Sequence, residues 1–117
     1  MSRISTHVLD IARGVPAQGI AVELHLVTGA ERRLIAAVTT NAEGRTDAPL
    51  LEGAALTKGN YRLVFEVALY YRGLGAKLPE PPFLDRVPLR FGVADASLHY
   101  HVPLLCSPWG YTTYRGS

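Results

Sequence analysis

Apolar residues along the chain recur in short runs, and most of these runs alternate with polar positions. A period of two marks strands buried on one face. The pattern predicts strands at Ile4 to Leu9, Ile20 to Val27, Leu34 to Thr39, a short piece after Gly44, Tyr61 to Ala68, Val87 to Val93, Leu98 to Cys106 and Tyr111 to Tyr114, about eight in all. Turn formers stand between them: Arg13-Gly14-Val15-Pro16, Thr28-Gly29, Asn41-Ala42-Glu43-Gly44 and Lys58-Gly59-Asn60. Short strands with frequent turns point to a sandwich or barrel, so the expected class is all-β. One stretch, Leu69 to Lys77, carries Tyr70, Tyr71, Leu74 and Leu78 near helical spacing. Gly73 and Gly75 keep that helix short, and Pro79, Pro81 and Pro82 end it. With no repeat, linker or low-complexity tract, residues 1–117 read as a single domain.

Alternation also sorts residues by face. From Leu98 to Cys106 it sets His99, His101, Pro103 and Leu105 on one side and Leu98, Tyr100, Val102, Leu104 and Cys106 on the other. The second set reads as core. The first is half apolar and carries two imidazoles, which suits a surface covered by a partner subunit or a ligand. At the amino end Ile4, Thr6 and Val8 alternate with Ser5, His7 and Leu9, so His7 falls in a set of the same mixed character. His25, between Leu24 and Leu26, reads as an ordinary surface or structural histidine, and His99 as a rim residue. Cys106 shares the core face, opposite His101, and reads as an inert buried thiol.

Charge and composition narrow the function by exclusion. Twelve Lys and Arg against ten Asp and Glu leave a net charge of +2, too small and scattered for a nucleic-acid or membrane partner. Met1 to Asp10 alternates and meets Asp10 and Arg13 early, unlike a secretory signal, and no apolar stretch is long enough to span a bilayer as a helix. One cysteine permits no intrachain disulfide, so a mature, soluble, cytoplasmic chain is expected. No Gly-x-Ser-x-Gly elbow, phosphate loop or Gly-x-Gly-x-x-Gly motif occurs, which removes the usual support for a serine nucleophile or a nucleotide cofactor. Histidine chemistry remains. His7, His99 and His101 could in principle offer three nitrogens to Zn²⁺, but no acidic residue follows to support them, and neither metal nor cofactor is expected.

Three segments together resemble the transthyretin-like 5-hydroxyisourate hydrolases. They are Ser5-Thr6-His7-Val8-Leu9-Asp10 with Arg13-Gly14-Val15-Pro16-Ala17, the turn Asn41-Ala42-Glu43-Gly44-Arg45-Thr46-Asp47, and the run from His99 to Ser117, which closes on Tyr114-Arg115-Gly116-Ser117. The resemblance implies an eight-stranded β-sandwich with one short helix. It also implies a homotetramer of two dimers, with the sites at the dimer–dimer interface, and a small-molecule substrate. The family's functional residues map onto His7, Arg45, His101, Tyr114 and Ser117, with His7, Arg45 and Tyr114 also touching substrate.

The implied reaction is cofactor-free hydrolysis of 5-hydroxyisourate to 2-oxo-4-hydroxy-4-carboxy-5-ureidoimidazoline, a step of urate breakdown. Opening a lactam needs a base for water, donors for the oxyanion and a proton for the leaving nitrogen. An imidazole can give and take protons near neutrality, and a nearby guanidinium keeps it a base. On this reading His101 orients or activates water, while His7 and Arg45 hold and polarise the substrate. Tyr114 and Ser117 bind its edges or relay a proton. Which histidine is the base stays open. The alternative is a transthyretin-like carrier of small ligands, which predicts an apolar channel and no need for His7, Arg45 or His101.

Overall fold

The computed structural model describes residues 2–117. Along the chain run β1 (Arg3–Ser5), β2 (Val8–Asp10), β3 (Val15–Pro16), β4 (Ala21–Thr28), β5 (Glu31–Thr39), β6 (Leu51–Glu52), β7 (Gly59–Glu66), α1 (Val67–Gly73), β8 (Arg86–Val93), β9 (His99–His101), β10 (Leu104–Ser107) and β11 (Gly110–Thr113). One antiparallel sheet has the order β5-β4-β7-β8. Two smaller sheets, β6-β1-β9 and β11-β10-β2-β3, continue each other, because β1 leads into β2 and β9 into β10. The result is a two-layer sandwich.

The alternation foreseen in the sequence builds its core. Val22, Phe65 and Val87 lie side by side across β4, β7 and β8, as do Leu24, Leu63 and Leu89, and all six are buried. The facing layer contributes Ile4 beside Tyr100 and Val8 beside Leu104, also buried. Burying such side chains stabilises by about 1.5–3 kcal/mol each.

Several boundaries differ from the expectation, each for a local reason. The amino-terminal strand breaks at Thr6-His7 and the later one at Val102-Pro103, and the two breaks face each other between the Ser5/His101 and Val8/Leu104 pairs. Pro103 has no N–H to give a ladder, and the Thr6 hydroxyl donates to the Val102 carbonyl at 2.7 Å. Pro103 is therefore buried rather than turned outward, whereas Leu98, expected in the core, is exposed because β9 begins only at His99. Val15-Pro16, read as turn, pairs with β2. After Gly44 a single bridge joins Arg45 to His7, and the next strand is Leu51–Glu52. Tyr114 lies beyond the end of β11.

The helix starts at Val67, earlier than its spacing suggested, because the Val67 and Ala68 N–H groups both find the Asp85 carbonyl at 3.2 Å. Its buried residues include Tyr70 and Tyr71. Their hydroxyls donate to Asp10, at 2.8 Å to Oδ2 and 2.6 Å to Oδ1 respectively. The Ala12 and Arg13 N–H groups donate to Asp10 Oδ1 as well, so a fully buried carboxylate ties α1 to β2. Burial and the Asp10 charge push the Tyr70 phenol up to about 12 and Tyr71 higher still, so both remain donors at any working pH.

Candidate active site

The parallel pairing of β1 with β9 sets Arg3 beside His99 and Ser5 beside His101. Alternation then turns Ser5, His99 and His101 away from the core together. Ser5 Oγ lies 2.8 Å from His99 Nε2 and 2.8 Å from His101 Nδ1. The two imidazoles are thus bridged by one hydroxyl.

Arg45 reaches the same place from the Asn41–Gly44 turn. Asn41 Oδ1 accepts from the Glu43 and Arg45 N–H groups, and the Asn41 N–H donates to the Arg45 carbonyl at 2.8 Å. The Val8 N–H in turn donates to the Gly44 carbonyl at 2.8 Å, fastening the turn to β2. Gly44 has φ +76°, and a Cβ there would run into the Val8 carbonyl oxygen, so the position demands glycine. His7 pairs with Arg45 across an isolated bridge, and its Nε2 lies 2.8 Å from the Glu43 carbonyl. A carbonyl only accepts, so Nε2 carries the proton and Nδ1 of the neutral ring is left as an acceptor.

The tail approaches from the other side. The Gly116 N–H donates to the His101 carbonyl at 2.8 Å, and the Arg115 guanidinium lies 4.4 Å above the Tyr100 ring. These contacts deliver Ser117 to a basin of about 450 Å³ lined also by Arg3, Ser5, Arg45, His99 and His101. Asp47 is the one acidic side chain in that lining, and it accepts from Asn41 Nδ2 at 3.0 Å. Burial holds His101 below the ordinary histidine value, reinforced by Arg45, His99, His7 and Arg3. His99 is lowered too, by burial and then by the charges of Arg3 and Arg115. The basin therefore offers neutral, basic imidazoles between fixed cations.

Of the five expected site residues, Arg45, His101 and Ser117 line this basin, and His7 sits at its flank, near enough for its charge to bear on His101. Tyr114 is not brought there. It is exposed and lines a separate cavity of about 440 Å³ between β8 and the carboxy-terminal segment. His99, read as a rim residue, lines the basin too, and Ser5, placed by the sequence only on the face of His7, joins it to His101. The spacing carries a signal for both: Ser5 and His7, like His99 and His101, are two apart and turned off the core. His25 stands on the outer face of the other sheet, 3.3 Å from Glu23. Cys106 is buried, and burial pushes its thiol up to about 11, which leaves it protonated and unreactive. Among the described residues no group of three His, Cys, Asp or Glu is arranged to hold a metal ion.

The two-layer sandwich, with paired histidines beside an arginine on one face, is a domain of the transthyretin type. The model of the HIUase/Transthyretin family matches residues 4–116, and the chain belongs to that family. A 5-hydroxyisourate hydrolase of Ralstonia nicotianae is 57% identical over 117 residues, covering 100% of both chains. The crystal structure of an (S)-allantoin synthase aligns with TM-score 0.93 at 39% identity, covering 99% of this chain but 44% of that one, so the likeness spans under half of the longer protein. The Klebsiella pneumoniae 5-hydroxyisourate hydrolase aligns with TM-score 0.82 at 36% identity over the whole of both chains.

Proposed function

We infer that the chain hydrolyses 5-hydroxyisourate, opening its lactam ring to a carboxylate. The observation that carries this is the basin in which Arg45, His101 and Ser117 converge beside His7, in a chain so similar along its whole length to a hydrolase of that name. A basin of about 450 Å³ suits a small bicyclic ureide. In our proposal Arg45, with Arg3 nearby, polarises the lactam carbonyl and steadies the oxyanion. His101, its Nδ1 engaged by Ser5, acts through Nε2 as the base that takes a proton from water. The proton then goes to the leaving nitrogen. His7, with Nε2 held by Glu43, presents Nδ1 to the substrate, and the Ser117 hydroxyl contacts a ring edge. A carrier would favour an apolar pocket, and this lining is dominated by charged and polar side chains.

We further propose that the chain assembles as a homotetramer and works in the cytoplasm. Strands β8 and β11 are sheet edges whose outer sides are unpaired among the described residues. Leu9 and Leu105 sit side by side on the outer face of their sheet, half-buried, where a second dimer would cover them. Tyr114 would then serve a site only where assembly brings it to a neighbouring copy. Among the described residues no helix is long and apolar enough to cross a membrane.

The test is direct. Purified protein, treated with chelator, should speed the ultraviolet decay of freshly generated 5-hydroxyisourate, and His101→Asn, His7→Asn and Arg45→Gln should each cost about a hundredfold or more in turnover. A decay no faster than the uncatalysed one overturns the function. A fully active His101→Asn overturns the roles.

A further inference from the structure

Ser5 poses a question of proton accounting. Its oxygen is 2.8 Å from one nitrogen of each of two imidazoles, yet a hydroxyl has one proton to give. One contact must therefore run from Ser5 to a ring, and the other from a ring N–H to Ser5. If Ser5 donates to His101 Nδ1, a neutral His101 carries its proton on Nε2 and can only donate there. If His101 Nδ1–H donates to Ser5 and Ser5 donates to His99 Nε2, then His101 Nε2 is a bare lone pair. Only the second arrangement makes His101 a base.

We propose that Ser5 is a positioning residue for His101, holding its proton on Nδ1 and linking it through the hydroxyl to His99 as a store for the proton taken from water. The inference rests on the hydrolytic reading of the basin, and it adds two residues to the machinery. The balance closes simply. Water gives a proton to His101 Nε2, and the ring becomes an imidazolium with protons on both nitrogens. The Nδ1 proton passes to Ser5 Oγ as the Ser5 hydroxyl proton passes to His99 Nε2. The positive charge now sits on His99, and His101 is neutral. Running the same two transfers backwards restores the His101 imidazolium, which gives its Nε2 proton to the leaving nitrogen and returns to the starting state. No atom is gained or lost.

The surroundings make such sharing useful. His101 faces Arg45, His7 and Arg3, so an imidazolium held there alone would sit against three other cationic or ionisable groups. Transfer to His99 takes the charge away from Arg45 and His7 but sets it near Arg3 and Arg115, so the stored proton is held weakly and readily given back. The fold supports the geometry from both sides: the β1/β9 register fixes Ser5 opposite His101, and the Arg115 guanidinium donates to the His99 carbonyl at 3.3 Å.

The experiment is ¹⁵N NMR of ring-labelled histidine at about pH 8, where ordinary imidazoles are neutral, with His101 assigned by the signals lost in His101→Asn. In the unaltered chain His101 should show a protonated Nδ1 and a bare Nε2. In Ser5→Ala it should revert to the Nε2–H form that free histidine side chains prefer, while Ser5→Thr keeps the Nδ1–H form. In 5-hydroxyisourate turnover, Ser5→Ala and His99→Ala should each lower kcat at least about tenfold with KM little changed, and Ser5→Thr should retain most of the rate. An Nε2–H His101 in the unaltered chain overturns the proposal, and so does a Ser5→Ala ring with the same tautomer and rate. The spectrum of the unaltered chain requires no variant to fold. A chain with the expected tautomer that fails to hydrolyse 5-hydroxyisourate would sink the functional reading instead.

Discussion

Gly116 leaves no room for a methyl group: a Cβ there would lie 2.6 Å from His101 Cδ2. Its φ is not in the left-handed region, so the demand is for space beside the imidazole rather than for an unusual backbone. Gly116→Ala should displace the ring or the tail and lower kcat/KM by roughly tenfold to a hundredfold, with the melting midpoint within a few degrees of the original. Steady-state kinetics and a thermal melt check both halves, and unchanged kinetics would mean that the contact is idle. At this scale the sequence told faces but not neighbours. Alternation set His7 and His101 off the core side, whereas the partnership of Ser5 with His99 depends on a parallel pairing between distant segments, which no local pattern encodes. Nothing local distinguishes Arg45 from any arginine after a turn glycine; family likeness marks it, and its bridge to His7 belongs to the fold.

The anchoring of α1 to β2 rests on Asp10, whose carboxylate accepts from two phenols and two backbone N–H groups with no exposure to water. Asp10→Asn keeps the shape, but it replaces one acceptor oxygen by a donor that faces donors. Stability should fall by about 1–3 kcal/mol, read as a lower urea midpoint at unchanged slope. An unchanged midpoint would show that the phenols find equal partners elsewhere. This network was hidden in the sequence, where Asp10 stood only as part of a motif and Tyr70 and Tyr71 as spacing for a helix. The long strands were readable because their period of two is strong, as in Val22, Leu24, Leu63 and Phe65. The interruptions were not. The break at Val102-Pro103 follows from a missing N–H, and it matters only because the partner strand breaks opposite it at Thr6-His7. The helix start depended on the carbonyl of Asp85, seventeen or more positions away, beyond any window of periodicity.

For the molecule as a whole, three imidazoles titrate below their ordinary 6.5: His25 and His99 through burial first, and His101 through burial and then Arg45. Their folded values are depressed, so below about pH 6.5 the unfolded chain binds protons that the folded chain resists, and stability falls as pH falls. Melting midpoints should therefore drop between about pH 7.5 and pH 5.5, and His25→Gln should flatten part of that slope. A flat profile would contradict the depressed values. Assembly gives the other test at this scale. Light scattering should report four chains, and Leu105→Asp, which sets a charge on the half-buried face beside Leu9, should shift the mass toward two. A tetramer indifferent to that charge would place the contact elsewhere. The pairing of β1 with β9 has one more effect, in time rather than space. Ser5 and His101 are 96 positions apart, so the basin depends on one of the most distant pairings in the fold, and such pairings form slowly. On a ribosome the antiparallel sheet can assemble while synthesis continues. The basin's imidazoles come into place only after His99–His101 has emerged, and the basin gains Ser117 later still. Chains lacking His99–His101 would then be silent, and turnover in a cell extract would count only polypeptides in which that segment has been made.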